Sequence, residues 1–389
     1  MDRKFYLIII SGTLVLFLSI GALLARTNPK ENSYAYLTIF SNVLHLVDQN
    51  YVEDVDFDKV MDSALHGMVE NLDPESFYIK GADMEGYKKE IEENKNKAGV
   101  GLTVSRRMGM VMVVAVEKDS SASENKIKPG DFIRSINDQY VQNLALYRIY
   151  SLIKGPANST VKVSIFKSAL EKPVDFTLTR RALRKPYIES YVAQQNIGYI
   201  GVHHLLAGAD TEIDKKLEQY NQQGIKNLIL DLRGCTEDDQ DLALKVADLF
   251  VGAAPLVQIA GREGVVQTVN GDAKVDYKGN LLVLTDYTTA AGAELIAGAI
   301  QDSGAGKVFG IRTFGRGGIQ KLIPAGENFL VLTTEKYLTP KGKPILVNGV
   351  EPSIPYKEDV KTVDQKEDED RMLEKAIETM RYPAAKKAA

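Results

Sequence analysis

The residues best placed to do chemistry lie around one turn of small side chains. Residues 281–284 form a short apolar run that predicts a buried strand, and residues 293–300 carry apolar side chains at helical spacing. A small-residue turn between a strand and a helix can expose one side chain against the N-terminal amides of the helix, as in many hydrolases. The turn, residues 285–292, offers the hydroxyls of Thr288 and Thr289, but no base is apparent beside them.

A second group of reactive side chains follows the apolar segment LILDLR, residues 228–233. Cys235 is the single cysteine of the chain, which excludes an internal disulfide framework. The three acidic residues at 237–239 oppose formation of a thiolate, because nearby negative charge raises the pKa of a thiol. His203 and His204 end another predicted strand, where alternation turns one inward and one outward. Neither group presents an evident nucleophile with its base.

These segments resemble the carboxy-terminal processing peptidases, also called tail-specific proteases, a family of serine peptidases with a PDZ domain. Residues 281–320 resemble the active-site segment of that family, and the resemblance covers nearly the whole chain. The matching residues of the helix and the following loop are Glu294, Ala297, Gly298, Ala299, Thr313, Phe314, Gly315, Gly317 and Gln320. Four further segments match family motifs: YVEDVD at 51–56, LDPESFYI at 72–79, KPGD at 128–131 and LILDLR at 228–233.

The resemblance implies a catalytic serine and lysine, and both are replaced in this sequence. Ala291 occupies the position of the nucleophilic serine and Arg316 that of the general-base lysine, whereas Gln320 keeps the supporting glutamine. Alanine carries no nucleophile, and arginine stays protonated at any workable pH. The resemblance therefore implies the fold of a serine peptidase without its catalytic pair.

The loop that the resemblance assigns to the oxyanion hole is also different. The family has N-x-G-G there, and a glycine amide of that motif helps to bind the oxyanion. This chain has Gly234, Cys235, Thr236, Glu237 and Asp238 instead. An oxyanion hole needs free N–H donors directed at developing negative charge, which acidic side chains oppose. The loop predicts a third loss, independent of the other two.

The composition excludes other classes of function. The chain has 389 residues, enough for two or three domains, and a formal net charge of −4. The sequence has no basic stripe, and no basic patch interleaved with aromatic residues, that would indicate binding to nucleic acid. It has four histidines, no HExxH pattern and no evident metal constellation. We therefore expect no metal, no cofactor and no nucleic-acid partner.

Residues 1–30 are predicted to form a membrane anchor. An uncharged, largely apolar run covers residues 5–25, close to the length of about 20 residues that crosses a bilayer. Arg3 and Lys4 precede the run and favour a cytoplasmic N-terminus, and no A-x-A cleavage site follows it. We expect a single-pass protein of the inner membrane with the bulk of the chain in the periplasm. A cleaved secretory signal, which would make the protein secreted, is the alternative.

The fold class implied for the remainder is mixed α/β. Residues 31–96 carry apolar residues at helical spacing and predict packing helices. Residues 97–182 resemble a PDZ-like β domain. Residues 183–363 resemble the α/β core of these proteases, of the crotonase/ClpP-like type, and residues 364–389 predict a charged C-terminal helix and tail.

A PDZ domain binds a peptide C-terminus as an added strand at an exposed sheet edge, with the carboxylate on backbone N–H groups and the last side chain in an apolar pocket. The residues expected to do this are Gly99, Val100, Gly101, Leu102, Leu144, Tyr147 and Ile153. The alternative is a spacer domain that binds nothing.

Together these features predict a membrane-anchored, extracytoplasmic relative of the tail-specific proteases that does not cleave. It would bind peptide C-termini or a protein partner as a scaffold or modulator, including in a homo- or hetero-oligomer. One alternative is a divergent, active serine-type endopeptidase with a different nucleophile. The other is a structural protein whose PDZ groove is blocked by a bulky residue.

Overall fold

The first helices of the chain are separated by a short break. The computed structural model describes residues 32–381 apart from 95–96, 108, 143, 168–171, 183–186, 195, 273 and 358–369. The chain divides into two compact units, residues 1–65 and 66–389. Helix α1 (Asn32–Asn50) and helix α2 (Phe57–Glu70) flank the break that the sequence predicts. Asp56 caps α2, because its carboxylate accepts the N–H of Lys59 at 3.2 Å.

The segment after α2 is partly extended, although the sequence predicts only packing helices there. It contains strand β1 (Phe77–Ile79), a 3-10 turn (Gly81–Asp83) and helix α3 (Met84–Asn94). The Asp73 carboxylate accepts the N–H groups of Glu75 (2.8 Å) and Ser76 (2.9 Å). This Asx-type turn ends the helical region and directs the chain into β1.

The first sheet of the second unit is antiparallel, and its strands all belong to the PDZ-like region. Its strands are β2 (Leu102–Arg107), β3 (Met110–Val116), β4 (Phe132–Ile136), β5 (Gln139–Tyr140), β6 (Thr160–Phe166) and β7 (Val174–Thr179). The order is β2-β3-β4-β6-β7, with β5 paired to β4. Helices α4 (Ser121–Glu124) and α5 (Leu146–Ile153) complete this part. Ile149 and Ile153 of α5 pack with strand residues in one buried cluster.

The second sheet is mostly parallel and forms the centre of the α/β core. Its strands are β8 (Ile188–Ala193), β9 (Ile197–Val202), β10 (Asn227–Asp231), β13 (Asn280–Thr285), β14 (Lys307–Gly310) and β17 (Ile354–Pro355). The order is β17-β14-β13-β10-β9-β8, and β8 is the one strand of this order that runs antiparallel to its neighbour. The carboxyl ends of β10 and β13 are therefore adjacent, so the loops that follow them meet at one edge.

Both faces of the parallel sheet are covered, as its continuous apolar strands require. Leu228 and Leu230 of β10 lie in the cluster with helices α6 (Ala209–Gln222), α7 (Gln240–Val251) and α8 (Gly292–Ser303). Ile229, between them, points to the other face and packs in a cluster with helix α9 (Arg371–Arg381). Successive side chains of this strand thus point to opposite faces of the sheet and pack into two separate cores.

The third sheet consists of antiparallel strands, most of them long. The sequence analysis did not predict this sheet. Strand β11 (Pro255–Gly261) forms a hairpin with β12 (Gly264–Asn270), and β15 (Gly318–Ala325) forms one with β16 (Asn328–Leu338). The order β1-β16-β11-β12 places β1 at the edge of this sheet. Many side chains of these strands are half-buried or exposed, so their apolar pattern is weak in the sequence.

The predicted location in the membrane requires a correction. In the part of the chain that the structure describes, no helix is both long enough and apolar enough to cross a bilayer. The single-pass inner-membrane prediction is therefore wrong on this finding. The predicted anchor, residues 5–25 within 1–30, lies outside the described residues.

Candidate functional site

The turn between β13 and α8 is strained, as a turn that holds a nucleophile would be. Ala291 has φ 54° and ψ −120° and is 2% exposed. A positive φ is costly for a residue other than glycine and persists only when its surroundings hold it. Here the surroundings are hydrogen bonds from the N–H groups on either side of Ala291. Ala290 donates to the carbonyl of Cys235 (3.0 Å) and Gly292 to the carbonyl of Glu237 (3.1 Å).

Glu294 joins this turn to the glycine-rich loop that follows β14. Its carboxylate is fully buried and accepts the N–H of Ala291 (3.0 Å), the N–H of Gly315 (2.7 Å), the N–H of Arg316 (2.7 Å) and the hydroxyl of Thr313. Burial raises the pKa of Glu294 to about 7, although the four donors favour the charged form. The three N–H groups at residues 290–292 are therefore all bonded within the protein, and none is left to face an oxyanion.

Arg316, at the predicted base position, is held between two carboxylates. Its Nε donates to Glu75, and its Nη2 lies 3.4 Å from the Asp238 carboxylate. Gln320 donates to the other oxygen of Glu75 at 2.8 Å and to the Thr333 hydroxyl at 3.1 Å. Burial by itself would lower the pKa of Arg316, but the charges of Glu75 and Asp238 raise it above its usual value. The guanidinium stays charged and fixed.

Glu75 is the residue of this site that the sequence analysis missed. The segment at 72–79 reads as packing, but β1 pairs antiparallel with β16 and brings Glu75 beside Arg316 and Gln320. Burial raises the pKa of Glu75, and the charge of Arg316 opposes that rise. The sequence contained one signal for this pairing. An arginine such as Arg316 at a buried position needs a carboxylate partner, and Glu75 lies in the matched motif LDPESFYI, just after the helix stop at Asp73.

The loop after β10 forms a second charged cluster. Glu237 accepts a hydrogen bond from His204 Nδ1 (2.6 Å) and from the N–H of Leu205 (3.1 Å). His204 Nε2 lies 3.5 Å from Glu117, at the end of the PDZ-like sheet. Burial alone would lower the pKa of His204, but the two carboxylates raise it to about 9. The imidazolium therefore links the loop to the PDZ-like region.

Cys235 is buried and carries no base. Its Sγ lies 3.5 Å from the Glu237 carboxylate. Burial, followed by the charge of Glu237, raises the pKa of the Cys235 thiol well above its usual value. His203 pairs at 3.1 Å with Glu189, and both side chains are substantially exposed. Neither geometry activates a nucleophile, since a thiolate needs a lowered pKa and an adjacent base.

The free edge of the PDZ-like sheet is occupied by a side chain of its own domain. The Tyr150 hydroxyl, on α5, accepts the N–H of Val104 (3.1 Å) and donates to the carbonyl of Val104 (3.0 Å). Val104 lies in the middle of β2, the edge strand, where an added peptide strand would form its hydrogen bonds. Tyr150 thus takes the place of one residue of a peptide backbone.

The same edge strand also contacts the loops of the α/β core. The Thr103 and Thr236 hydroxyls are 2.9 Å apart. The Arg107 guanidinium donates to the carbonyl of Phe314 at 2.8 Å and lies over the Phe314 ring, 4.7 Å from its centroid. Ala290 is the neighbour of Ala291, which occupies the predicted nucleophile position. Ala290 packs in one cluster with Phe314 and residues of β3. The PDZ-like sheet therefore covers the turn that would hold the nucleophile.

The structure brings some of the predicted peptide-binding residues together and separates one. The backbone of Gly99 is paired with Arg181, and Gly101 has φ 82°. Residues on or beside the buried core of the PDZ-like domain are Val100, Leu102, Leu144 and Ile153. Tyr147 instead joins a different cluster, with its ring centroid 4.8 Å from that of Tyr87 on α3. Helix α3 covers that side of α5, which the sequence did not indicate.

Within the described ranges, no group of three or more His, Cys, Asp and Glu side chains is arranged to hold a metal ion. The charged residues of the site instead form ion pairs: Arg316 pairs with Glu75, and His204 pairs with Glu117.

Two family models match this chain. The model described as peptidase family S41 matches residues 196–356, and the PDZ domain model matches residues 90–166. Among solved structures, a photosystem II D1 C-terminal processing protease superposes with a TM-score of 0.69 at 22% sequence identity, covering 88% of this chain and 92% of that one. This likeness shows the fold.

Curated relatives agree with the family models. A carboxy-terminal-processing protease of Bartonella bacilliformis is 29% identical over 338 residues, which are 84% of this chain and 76% of that protein. The carboxy-terminal processing protease CtpB of Bacillus subtilis is 28% identical over 319 residues, 80% of this chain and 66% of that protein. A probable CtpA-like serine protease of Staphylococcus aureus is 26% identical and covers 88% of this chain and 68% of that protein.

Proposed function

We propose that this chain, which carries a peptidase family S41 core and a PDZ domain and is related to the carboxy-terminal processing proteases, binds protein C-termini without cleaving them. The observation that carries the proposal is the state of the former catalytic positions. Ala291 stands in the strained turn, and Arg316 is fixed between Glu75 and Asp238.

The chemistry required for peptide cleavage is missing at three places. A serine peptidase needs a hydroxyl nucleophile, a base that can take its proton, and free N–H donors for the oxyanion. Ala291 lacks the hydroxyl, and Arg316 keeps its proton. The N–H groups of residues 290–292 are bonded to Cys235, Glu294 and Glu237. Restoring one part alone would therefore restore no activity.

The remaining parts of the protein suit a binding role. The PDZ-like domain has a sheet of six strands with helix α5, and β2 lies at an edge of that sheet. Its contacts to Thr236 and Phe314 place that edge next to the former active-site loops. A peptide C-terminus bound at β2 would lie beside those loops and would dissociate without being cleaved.

The proposal is tested by cleavage of an unfolded reporter that ends in apolar residues. We expect the purified wild-type protein to be silent. The variant Ala291→Ser with Arg316→Lys, Glu237→Gly and Asp238→Gly supplies the hydroxyl and the base. It also replaces two acidic residues of the loop after β10 by glycines whose own N–H groups can serve an oxyanion, and it is expected to cleave. Ala291→Ser alone is the matched control and should stay silent, because it still lacks a base and an oxyanion hole. Cleavage by the wild-type protein would overturn the proposal.

A second measurement tests the binding half of the proposal. Tyr150→Phe removes the hydroxyl that occupies the N–H and carbonyl of Val104, so a peptide no longer has to displace it. With a net value of about 1 kcal/mol for each of the two hydrogen bonds, we expect the affinity for an apolar C-terminal peptide to rise roughly thirtyfold. Fluorescence polarisation with a labelled peptide gives the dissociation constant.

Tyr140→Phe is the control for this measurement, since Tyr140 lies exposed on β5 away from β2. Peptide affinity should be the same in that variant and in the wild-type protein. If Tyr150→Phe binds no more tightly than Tyr140→Phe, Tyr150 does not compete with peptide at β2. If neither variant nor the wild-type protein binds any C-terminal peptide, the binding role fails, whatever the cleavage assay shows.

A further inference from the structure

A cavity of about 450 Å³ lies away from the former catalytic turn, between α3 and the start of α5. The segment that follows β1 and His66 of α2 also line it. Its volume is in the range of small-molecule sites in proteins, about 300–1,000 Å³. None of its lining residues is a predicted catalytic position, although Leu144 and Tyr147 are among the residues predicted to bind peptide.

One wall of this cavity is aromatic. Tyr78, Tyr87 and Tyr147 line it. The Tyr87 and Tyr147 rings meet edge to face with centroids 4.8 Å apart, and Phe77 supports Tyr147 from behind at 5.3 Å. A tyrosine ring face carries partial negative charge and attracts organic cations. The packing fixes these rings before any ligand arrives.

Two carboxylates also line the cavity. Asp83 and Glu90 line it, and the negative charge of Asp83 contributes to raising the pKa of Tyr147 after burial. Glu90 is paired through one oxygen with Arg148. Its other oxygen, Oε2, is shielded from solvent and has no hydrogen-bond partner among the described residues. Lys80 also lines the cavity but interacts with another group.

A second shielded polar atom lies at the same cavity. His66 Nδ1 has no hydrogen-bond partner in the described part of the chain, and its distance of 3.9 Å to Glu70 is too long for one. A buried polar atom without a partner destabilises the folded protein, because it has lost its hydrogen bonds to water. Two such atoms at one cavity indicate a missing polar group. A carboxylate oxygen can only accept, so the group that satisfies Glu90 must be a donor.

We propose that this cavity binds an organic cation, an alkylammonium or guanidinium group, in contact with the lining tyrosines and the carboxylates of Asp83 and Glu90. The cation donates to the carboxylates and its alkyl part lies on the Tyr87 and Tyr147 rings. Arg148 competes for Glu90, because its own guanidinium already occupies one oxygen. The source is either a free polyamine or a basic side chain of a peptide, and the two share this chemistry.

The test is isothermal titration calorimetry on the full chain with two probes, spermidine and a short peptide with one central arginine. Asp83→Asn and Glu90→Gln should each weaken binding of the cation at least tenfold. Arg148→Gln should strengthen it, because Glu90 loses its internal partner. Changes of opposite sign on the two sides of one ion pair cannot both result from misfolding. Glu85→Gln, exposed on the same helix α3, is the matched control and should leave the affinity unchanged.

The outcome also identifies the source of the cation. Tighter binding of spermidine indicates a free polyamine, and tighter binding of the peptide indicates a basic side chain. The proposal is overturned if neither probe binds the wild-type protein, or if Asp83→Asn and Glu90→Gln bind as the Glu85→Gln control does. None of these variants changes a residue of the catalytic turn or of β2, so the result is separate from the proposed function.

Discussion

Replacing Glu294 with alanine is expected to lower the free energy of unfolding by about 3–6 kcal/mol, since several buried donors would each lose an acceptor at about 1–3 kcal/mol. The carboxylate holds the N–H groups of Ala291, Gly315 and Arg316 and the hydroxyl of Thr313. Without it, the strained turn at Ala291 and the glycine-rich loop lose their common anchor. Urea unfolding followed by circular dichroism at pH 8, above the pKa of about 7 of Glu294, gives the value.

Two further variants make this result specific. Glu294→Gln keeps one acceptor oxygen and should lie between the wild-type protein and Glu294→Ala. Glu263→Ala removes an exposed carboxylate from the β11–β12 hairpin and should change the unfolding free energy by less than about 0.5 kcal/mol. A loss below 1 kcal/mol for Glu294→Ala would show that water replaces the carboxylate and that Glu294 is not the anchor.

The second large effect is a dependence of stability on pH that originates at His204. The groups that face its ring are the carboxylates of Glu117 and Glu237 and the ring of Tyr187. The centroids of the His204 and Tyr187 rings are 5.8 Å apart. The folded protein raises the pKa of His204 from its usual 6.5 to about 9. The stabilisation is therefore complete below pH 6.5 and is lost as the pH rises through 9. At about 1.4 kcal/mol for each pKa unit, this amounts to roughly 3 kcal/mol.

Glu237 titrates in the opposite sense. Its pKa is lowered, because the hydrogen bond and charge of His204 outweigh burial, so its contribution is lost as the pH falls. The free energy of unfolding is measured between pH 6.5 and 9.5. His204→Gln should flatten the decrease over that range, whereas His203→Gln, a more exposed neighbour, should retain it. An unchanged slope in His204→Gln would place the titration elsewhere.

The sequence predicted the elements around the site because their signals are local. The apolar run at 281–284 and the helical spacing at 293–300 became β13 and α8, and the turn between them is where the small residues indicated. The same stretch carries Ala291 and Arg316, which stay predictions for the nucleophile and base positions. Each of these features depends on neighbours within about 20 residues.

The residues that the sequence did not reveal act over longer distances. Glu75 reaches Arg316 across 241 residues, and only the pairing of β1 with β16 brings them together. Tyr150 reads as one apolar residue of a helix, and its hydrogen bonds to Val104 depend on how α5 lies against β2. Charge compensation gives a hint for the first case, and nothing in the local pattern gives one for the second.

The pairing of β1 with β16 also constrains how the protein can fold during synthesis. Strand β1 leaves the ribosome about 250 residues before its partner does, and α9, which covers one face of the parallel sheet, follows later still. Contacts between such distant segments form slowly, because the intervening chain must first be brought into place. The PDZ-like sheet consists of nearby strands and can fold while the core is still being translated. The core therefore closes only after translation of α9, around a PDZ-like sheet that is already present to receive it.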